Sequence, residues 1–487
     1  AIHYFSLAAN NNHSKAQNYL GVIYCSSPYV ARDINKAIHY FSLSSDQNYS
    51  EAQYNLGEVY YIGQHVTRDI NKAIYYFTLA SNQNHSRAHD ILGFIYDKGE
   101  YVARDIGKAI HYYSLAANKN VLHAQISLGN IYFTGQYINR DINRAIHYYS
   151  LAANQNNPEA QFSLGVIYYS GQYIARDMSK AIHYFSLAAE QNYPQAQFNL
   201  GVIYQSGENG TPDIRKAIHY YSLAADQKYT EAQFNLGVLY EKGIYVKRDI
   251  SKAFYYFSLA AEQNLPQAHF NLGLIYYNGE YIKRDINKAI YHIKLAANRN
   301  IALAQYAIGL LYFYGLYLNQ DIKKGISYFF QSTINGHKHA CFTIGNLLHD
   351  GKYIKQNIRK AITYYKEASS FNDQYAKNNL GIIYKNGFGD EIQPNFGLAI
   401  TYFEEAIRQK KDTIAKYNLA HLFLYNVKNI KKSIDILIQP PVKYFSNSLS
   451  LLCIALFKEY GDNANEIIQK YNIQGFEKNY ISSLLKC

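Results

Sequence analysis

Histidine is the first residue type in this sequence that could do chemistry. His3, His39, His111, His147, His183 and His219 recur at one position of a regular pattern, and imidazole serves as metal ligand, general base or pH sensor. A metal needs several such groups at about 2 Å from one ion. Equivalent helices in neighbouring repeats stand on the order of 10 Å apart. The six therefore read as solvent-exposed side chains on a convex side, with a pH-sensitive surface as the alternative. Arg-Asp pairs such as Arg32 with Asp33 and Arg284 with Asp285 have the types of an acid and a base, but an Asp just ahead of an apolar periodic segment is a helix N-cap. Lysine pairs at 410–411 and 431–432 read as solvated helix charges. Cys25, Cys341, Cys453 and Cys487 are too scattered for a disulfide framework or paired metal ligands, which favours a reducing compartment such as the cytoplasm. Cys487 lacks the residues of a prenylation box. Asn12, Asn48, Asn84 and Asn209 begin Asn-x-Ser/Thr sequences, which so Asn-rich a chain yields by chance. Catalysis needs unlike groups converging, and here the same groups return at equal intervals. No catalytic residue, metal site or cofactor is assigned.

The interval is set by glycine. Gly21, Gly57, Gly93, Gly129, Gly165, Gly201, Gly237, Gly273, Gly309, Gly345 and Gly381 are each 36 residues apart, which only a duplicated structural unit produces. In the unit from Pro158 to Asn192, apolar residues fall at helical spacing twice. Ala160, Leu164, Ile167 and Tyr168 make one face of a helix A, and Ala181, Tyr184, Phe185 and Ala188 the buried stripe of a helix B. Gly165 is expected to let a neighbouring backbone approach closely. Asp177 and its equivalents from Asp33 to Asp321 are placed to cap helix B. Pro158, Pro194 and Pro266, or Ser14, Ser50 and Ser86 as caps, open helix A. Gly171 and its equivalents from Gly63 to Gly387 turn the chain after helix A. Asn192 and its equivalents end helix B because Asn tolerates the left-handed conformation. Gly336 takes that place once. The pattern predicts an all-α fold, an α/α solenoid or superhelix of 36-residue helix-loop-helix repeats.

The segment AQFNLGVIY at 196–204, the loop glycine after it, and the downstream RDIxKAIHYFSLAA resemble the Sel1-like repeat, a branch of the tetratricopeptide-related helical repeats. The period of 36 rather than about 34 decides between the two. Departures are Asn in place of a usual glycine, Ser27 at the first loop glycine, and Gln356 and Asn357 for the Arg-Asp pair. None touches the helix faces. The resemblance spans residues 1–439 as about twelve units. Ala1 matches Ala37 in phase, so the first unit is incomplete and the chain opens inside a helix B. The loop FGDEIQPN at 388–395 adds two residues, Pro440 and Pro441 stop the repeat, and 440–487 are expected to form a helical cap on the last apolar face.

Composition agrees with a folded repeat protein: of 487 residues 48% are hydrophobic and 17% charged, with 53 Tyr and 24 Phe against no Trp. The net charge of +12 is spread thinly and lacks the clustered stripe that tracks phosphate, so nucleic acid is not an expected partner. A nucleic-acid solenoid would show affinity falling steeply with salt. The longest apolar run, at 448–457, is far short of the roughly 20 residues of a membrane span.

The remaining face of helix A carries Phe162, Val166 and Tyr169; Phe198 and Val202 with Gln205; Phe234 and Val238 with Glu241; Phe270, Leu274 and Tyr277; and Tyr306, Leu310 and Phe313. In helical-repeat superhelices that face lines the concave side. Two readings stand: the rings fill the seam to the next repeat, or they form an aromatic groove for a partner, with Asn199, Asn235 and Asn271 near enough to bond its backbone. The resemblance implies a non-catalytic scaffold or adaptor that binds other proteins or peptide segments along this face. It also offers an alternative, a repeat-built hydrolase as assigned to a cysteine-rich bacterial branch, but that branch has a cysteine pair in most units and this chain has not.

Overall fold

Each period folds as the helical spacing requires, with helix A at Pro158–Ser170 and helix B at Met178–Glu190 in the unit quoted above. The computed structural model describes residues 2–26, 30–64, 66–409, 413–438, 451–452, 454–456 and 458–459. These divide between two compact units, Ala1–Lys247 and Arg248–Cys487. The first carries helices from Ile2–Asn10 to Thr230–Lys242, and the second from Ile250–Glu262 to Ile430–Ile438. No strand occurs among the described residues, although the long loop at 388–395 holds an isolated bridge from Phe388 to Ile392. The fold is an all-α tandem of helix pairs, an α/α solenoid.

The ends of the helices follow from single residues. Asp177 caps helix B by accepting the Lys180 amide at 2.9 Å, and Asp33, Asp69, Asp105, Asp141, Asp213, Asp249, Asp285 and Asp321 do the same in their repeats. Asn357 replaces the aspartate without loss of the cap, since its Oδ1 accepts the Lys360 amide. After helix A, glycine sits at φ between 61° and 72° from Gly63 to Gly387, where a Cβ would be strained. After helix B the left-handed residue is Asn192 or its equivalents, Lys228 once and Gly336 once. Ser50 and Ser86 prove to be first helical residues, not caps. The caps precede them at Tyr49 and His85, and of these two only the imidazole of His85 accepts an amide.

Within a repeat the core is built from small residues facing rings. Ala160, Leu164, Ala181, Phe185 and Ala188 are fully buried, and Ile167 nearly so. Gly165 makes room for a ring and not for a neighbouring backbone: a Cβ there would stand 2.5 Å from Phe185 of its own helix B. The same holds for Gly21 against Phe41, Gly57 against Phe77, Gly201 against Tyr221 and Gly381 against Phe403, while Gly273 makes room for Ile293. At the outer flank Tyr168 stacks on Tyr184 at 5.9 Å, with Lys180 5.0 Å above Tyr168. At the C-terminal end, Leu451, Leu452, Ala455 and Leu456 are buried with Ala420, Leu424, Ile434 and Leu437, while the rest of the expected cap over 440–487 lies outside the described residues.

Because each helix packs on its sequence neighbours, stability is shared among nearest-neighbour seams. Excising one full period, Met178 to Asp213, joins Asp177 to Ile214 and sets Gly165 against Tyr221. The shortened chain should stay soluble, with unchanged helicity per residue by circular dichroism. Collapse of that signal would show that stability is not local.

Candidate functional site

Helix A places Phe162, Val166 and Tyr169 on one face because they are four and three residues apart. All three are half-buried and gather around Phe185 of helix B. The Phe162 ring lies 5.7 Å from Phe185 and 5.2 Å from Tyr193, the residue that precedes the next helix A. Tyr169 meets Phe185 edge-on at 6.3 Å under the guanidinium of Arg176. Phe198 repeats the arrangement with Tyr221 at 5.7 Å and Tyr229 at 5.3 Å, and Val202 beside it is half-buried. Phe234 and Val238 are half-buried as well.

In the second unit Tyr306, Leu310 and Phe313 gather around Phe329. Phe270 has sunk into the core at 9% exposure, while Leu274 is half-buried and Tyr277 is 41% exposed. The row is therefore shared: its rings seal the seam toward the next repeat on one edge and leave the other edge in water. Consecutive A helices do adjoin along this face, since the Asn55 amide donates to Asn18 at 2.9 Å and that of Asn379 to Asn346 at 3.1 Å.

In three repeats where helix B carries a buried tyrosine, a polar residue of the row accepts its hydroxyl. Tyr149 donates its hydroxyl to Asn130 at 2.6 Å, Tyr221 to Gln205 at 2.7 Å and Tyr365 to Asn346 at 2.7 Å. Asn130 and Asn346 stand at the Val166 position, and Gln205 at the Tyr169 position. A buried hydroxyl left unpaired costs about 1–3 kcal/mol, so these three acceptors keep the buried tyrosines satisfied. Asn235 also bonds the Tyr221 hydroxyl, whose pKa burial pushes up to about 12. It thus takes part in the seam. Asn199 and Asn271 follow repeats with Phe185 and Phe257, which have no hydroxyl.

A second polar system went unread. Gln161 is buried, accepts from Gln191 Nε2 at 2.7 Å and donates to the Ala153 carbonyl at 3.4 Å, so it ties the C-terminus of one helix B to that of the next. Gln53 with Gln83, Gln125 with Gln155 and Gln197 with Gln227 repeat the bond. Asn12 and Asn48 hold the left-handed turn and accept from these glutamines, which gives two of the Asn-x-Ser sequences a structural task. In the loops, Arg68, Arg104 and Arg140 lie over Tyr101, Tyr137 and Tyr173 of the following repeat at 4.4 to 5.1 Å. The Arg-Asp pair thus divides its labour, with the arginine bridging loops and the aspartate capping helix B.

The six periodic histidines are exposed. Among the described residues no three metal-ligating side chains come together. Half-buried histidines occur elsewhere, at positions that other repeats fill with Gln or Tyr. His269 Nδ1 lies 3.1 Å from His292 Nδ1, and His292 is stacked on Tyr276. His337 lies against Tyr306 with His339 nearby. Burial first, then His269 and Lys288, lower His292 to about 4, and burial, His339 and Lys338 lower His337 to about 4. The unfolded chain titrates near 6.5. Stability is therefore complete above that pH and declines as pH falls toward 4, because the unfolded state binds the protons first. With allowance for solvent screening the loss is about 1 kcal/mol per histidine. Melting temperature should drop between pH 7 and pH 4, and the double change His269→Gln with His292→Tyr should flatten the profile. An unchanged profile in the double variant would remove these histidines as the cause.

The Sel1 repeat family model matches residues 1–13 and then eleven consecutive segments from 14–49 to 374–411. Among solved structures the chain is similar to c5321, described as a protective antigen present in uropathogenic Escherichia coli strains displaying an SLR fold. The identity is 25% over 98% of each chain, with a TM-score of 0.70. It is also similar to a Sel1 repeat protein from Oxalobacter formigenes, at 28% identity over 63% of this chain and 89% of that one, with a TM-score of 0.55. A comparison with curated proteins finds no match.

Proposed function

Because the chain belongs to the Sel1 repeat family, whose members typically mediate protein–protein interaction, we propose that it is a non-catalytic scaffold that holds segments of partner proteins along its A-helix rows, from Phe162 to Val238 in the first unit and from Phe270 to Phe313 in the second. The observation that carries this reading is the half-buried state of the row. Phe162, Val166, Tyr169, Val202, Leu274 and Leu310 keep an apolar edge in water while their other edge is fixed in the seam. A ring already immobilised loses little entropy when a partner covers it, which favours it as a binding anchor. No helix among the described residues is long and apolar enough to cross a membrane.

Selection of a random-peptide display library on the chain tests the proposal. Enriched peptides should carry apolar or aromatic residues and bind with weak dependence on salt. Enrichment of acidic peptides only, with affinity falling steeply as salt rises, would replace it with an electrostatic reading. Turnover of a broad hydrolase panel that is lost on one point substitution would replace it with the catalytic one.

A further inference from the structure

At one position of the row several repeats carry a ring and others a polar side chain, Asp97, Gln205, Glu241 or Lys385, whereas the first complete repeat carries a small one. Tyr61, Phe133 and Tyr169 each present a ring to the buried aromatic of their own helix B, at 6.3, 6.5 and 6.3 Å from Phe77, Tyr149 and Phe185. The residue in that register facing Phe41 is Cys25, which is a free, half-buried thiol. Where the ring would be, the structure has an open cleft of about 370 Å³ that reaches Phe41 and is lined by Val22, Cys25, Arg32, Asn55 and Glu58 among others.

We propose that this cleft binds the aromatic side chain of a partner polypeptide, which takes the place that the protein's own ring takes in the repeats of Tyr61, Phe133 and Tyr169. The chemistry of the lining narrows the occupant. Arg32 and Glu58 bring one charge of each sign, so the cleft offers no net attraction to an acidic or a basic side chain and suits a neutral ring. Glu58 is held by the Tyr54 hydroxyl at 2.8 Å. Asn55 donates to Asn18 at 2.9 Å, which keeps its own Oδ1 for a further donor such as a peptide N–H beside the ring. Gly21 fixes the floor, because the Phe41 ring stands within 2.5 Å of where its Cβ would be and so lies flat against the helix. It stands apart from the row at 162–313, so either can fail while the other holds.

The chain contains no Trp, so the fluorescence of N-acetyltryptophanamide can be read against a background of tyrosine alone. Titration into the full chain should show saturable binding in roughly the millimolar range expected for a single ring. N-acetyltyrosinamide should compete and N-acetylalaninamide should not. Cys25→Tyr restores the side chain that other repeats carry and should weaken binding at least tenfold with no loss of melting temperature, while Cys25→Ser should leave it within twofold. Should Cys25→Tyr fail to fold, Val22→Phe fills the same cleft with the ring that Phe94 supplies at the equivalent position, and the same loss is expected. Absence of saturable binding, or equal binding to wild type and the filled variant, would overturn the proposal.

Discussion

Gly201→Leu should destabilise the protein by about 3 kcal/mol, the upper end for overpacking a filled core. A Cβ on Gly201 would stand 2.5 Å from Cδ1 and 2.6 Å from Cε1 of Tyr221. The tyrosine cannot yield, since it is fully buried and its hydroxyl is held by Gln205 at 2.7 Å. The helices would have to part, and the seams on both sides of the repeat with them. Gly107 provides the control. It lies within helix B at Ile106–Ala117, and a Cβ there approaches nothing closer than Asp105 Oδ1 at 3.4 Å. Gly107→Ala should therefore stabilise by roughly 0.5–1 kcal/mol through helix propensity. Urea denaturation followed by circular dichroism checks both. An unchanged midpoint for Gly201→Leu would mean that the glycine register is not set by ring packing.

The second large effect belongs to the triple change Phe198→Ala, Phe234→Ala and Phe270→Ala. Phe270 is almost fully buried with Ile290 and Ile293, and Phe198 wedges between Tyr221 and Tyr229. Truncating a buried Phe costs 3–5 kcal/mol and a half-buried one less. For sites this far apart the losses add, so the sum should be about 5 kcal/mol. The same variant should weaken capture of a library-derived peptide by about 2 kcal/mol. Its two losses are entangled, because the rings serve the seam and the exposed edge at once.

The period, the helix pair and the caps were legible because each rests on one residue type with one local job. Asp before helix B, left-handed Asn or Gly after it, and Pro158 at the start of helix A need no knowledge of the neighbours. What sequence reading missed depends on contacts at a distance. Gly165 plainly needed space, but only the structure shows that the space belongs to Phe185 of the same repeat. The buried Gln161 sits on an Ala and Leu face where a polar residue looks misplaced, and it is satisfied only because two helix B termini converge on it. Asn235 looked free for a ligand until the Tyr221 hydroxyl was placed beside it. For the partner row, periodicity identified the face, while the division of each ring between seam and water could not be read from spacing.

Separating binding from folding requires a substitution that the fold already accepts at the row. Asn130 and Asn346 occupy the Val166 position in their own repeats and are built into well-packed seams. Val166→Thr, close to valine in size and able to bond back to its own helix carbonyl, with Val202→Asn, which offers the Tyr221 hydroxyl a second acceptor, therefore removes apolar surface from the row without opening a cavity. The decisive measurement is the affinity of an enriched apolar peptide for this double variant, alongside its melting temperature. Affinity at least about tenfold weaker, with a melting temperature within about 2 °C of wild type, is the expected result. Undiminished affinity at the same melting temperature would show that partners bind somewhere other than the A-helix row.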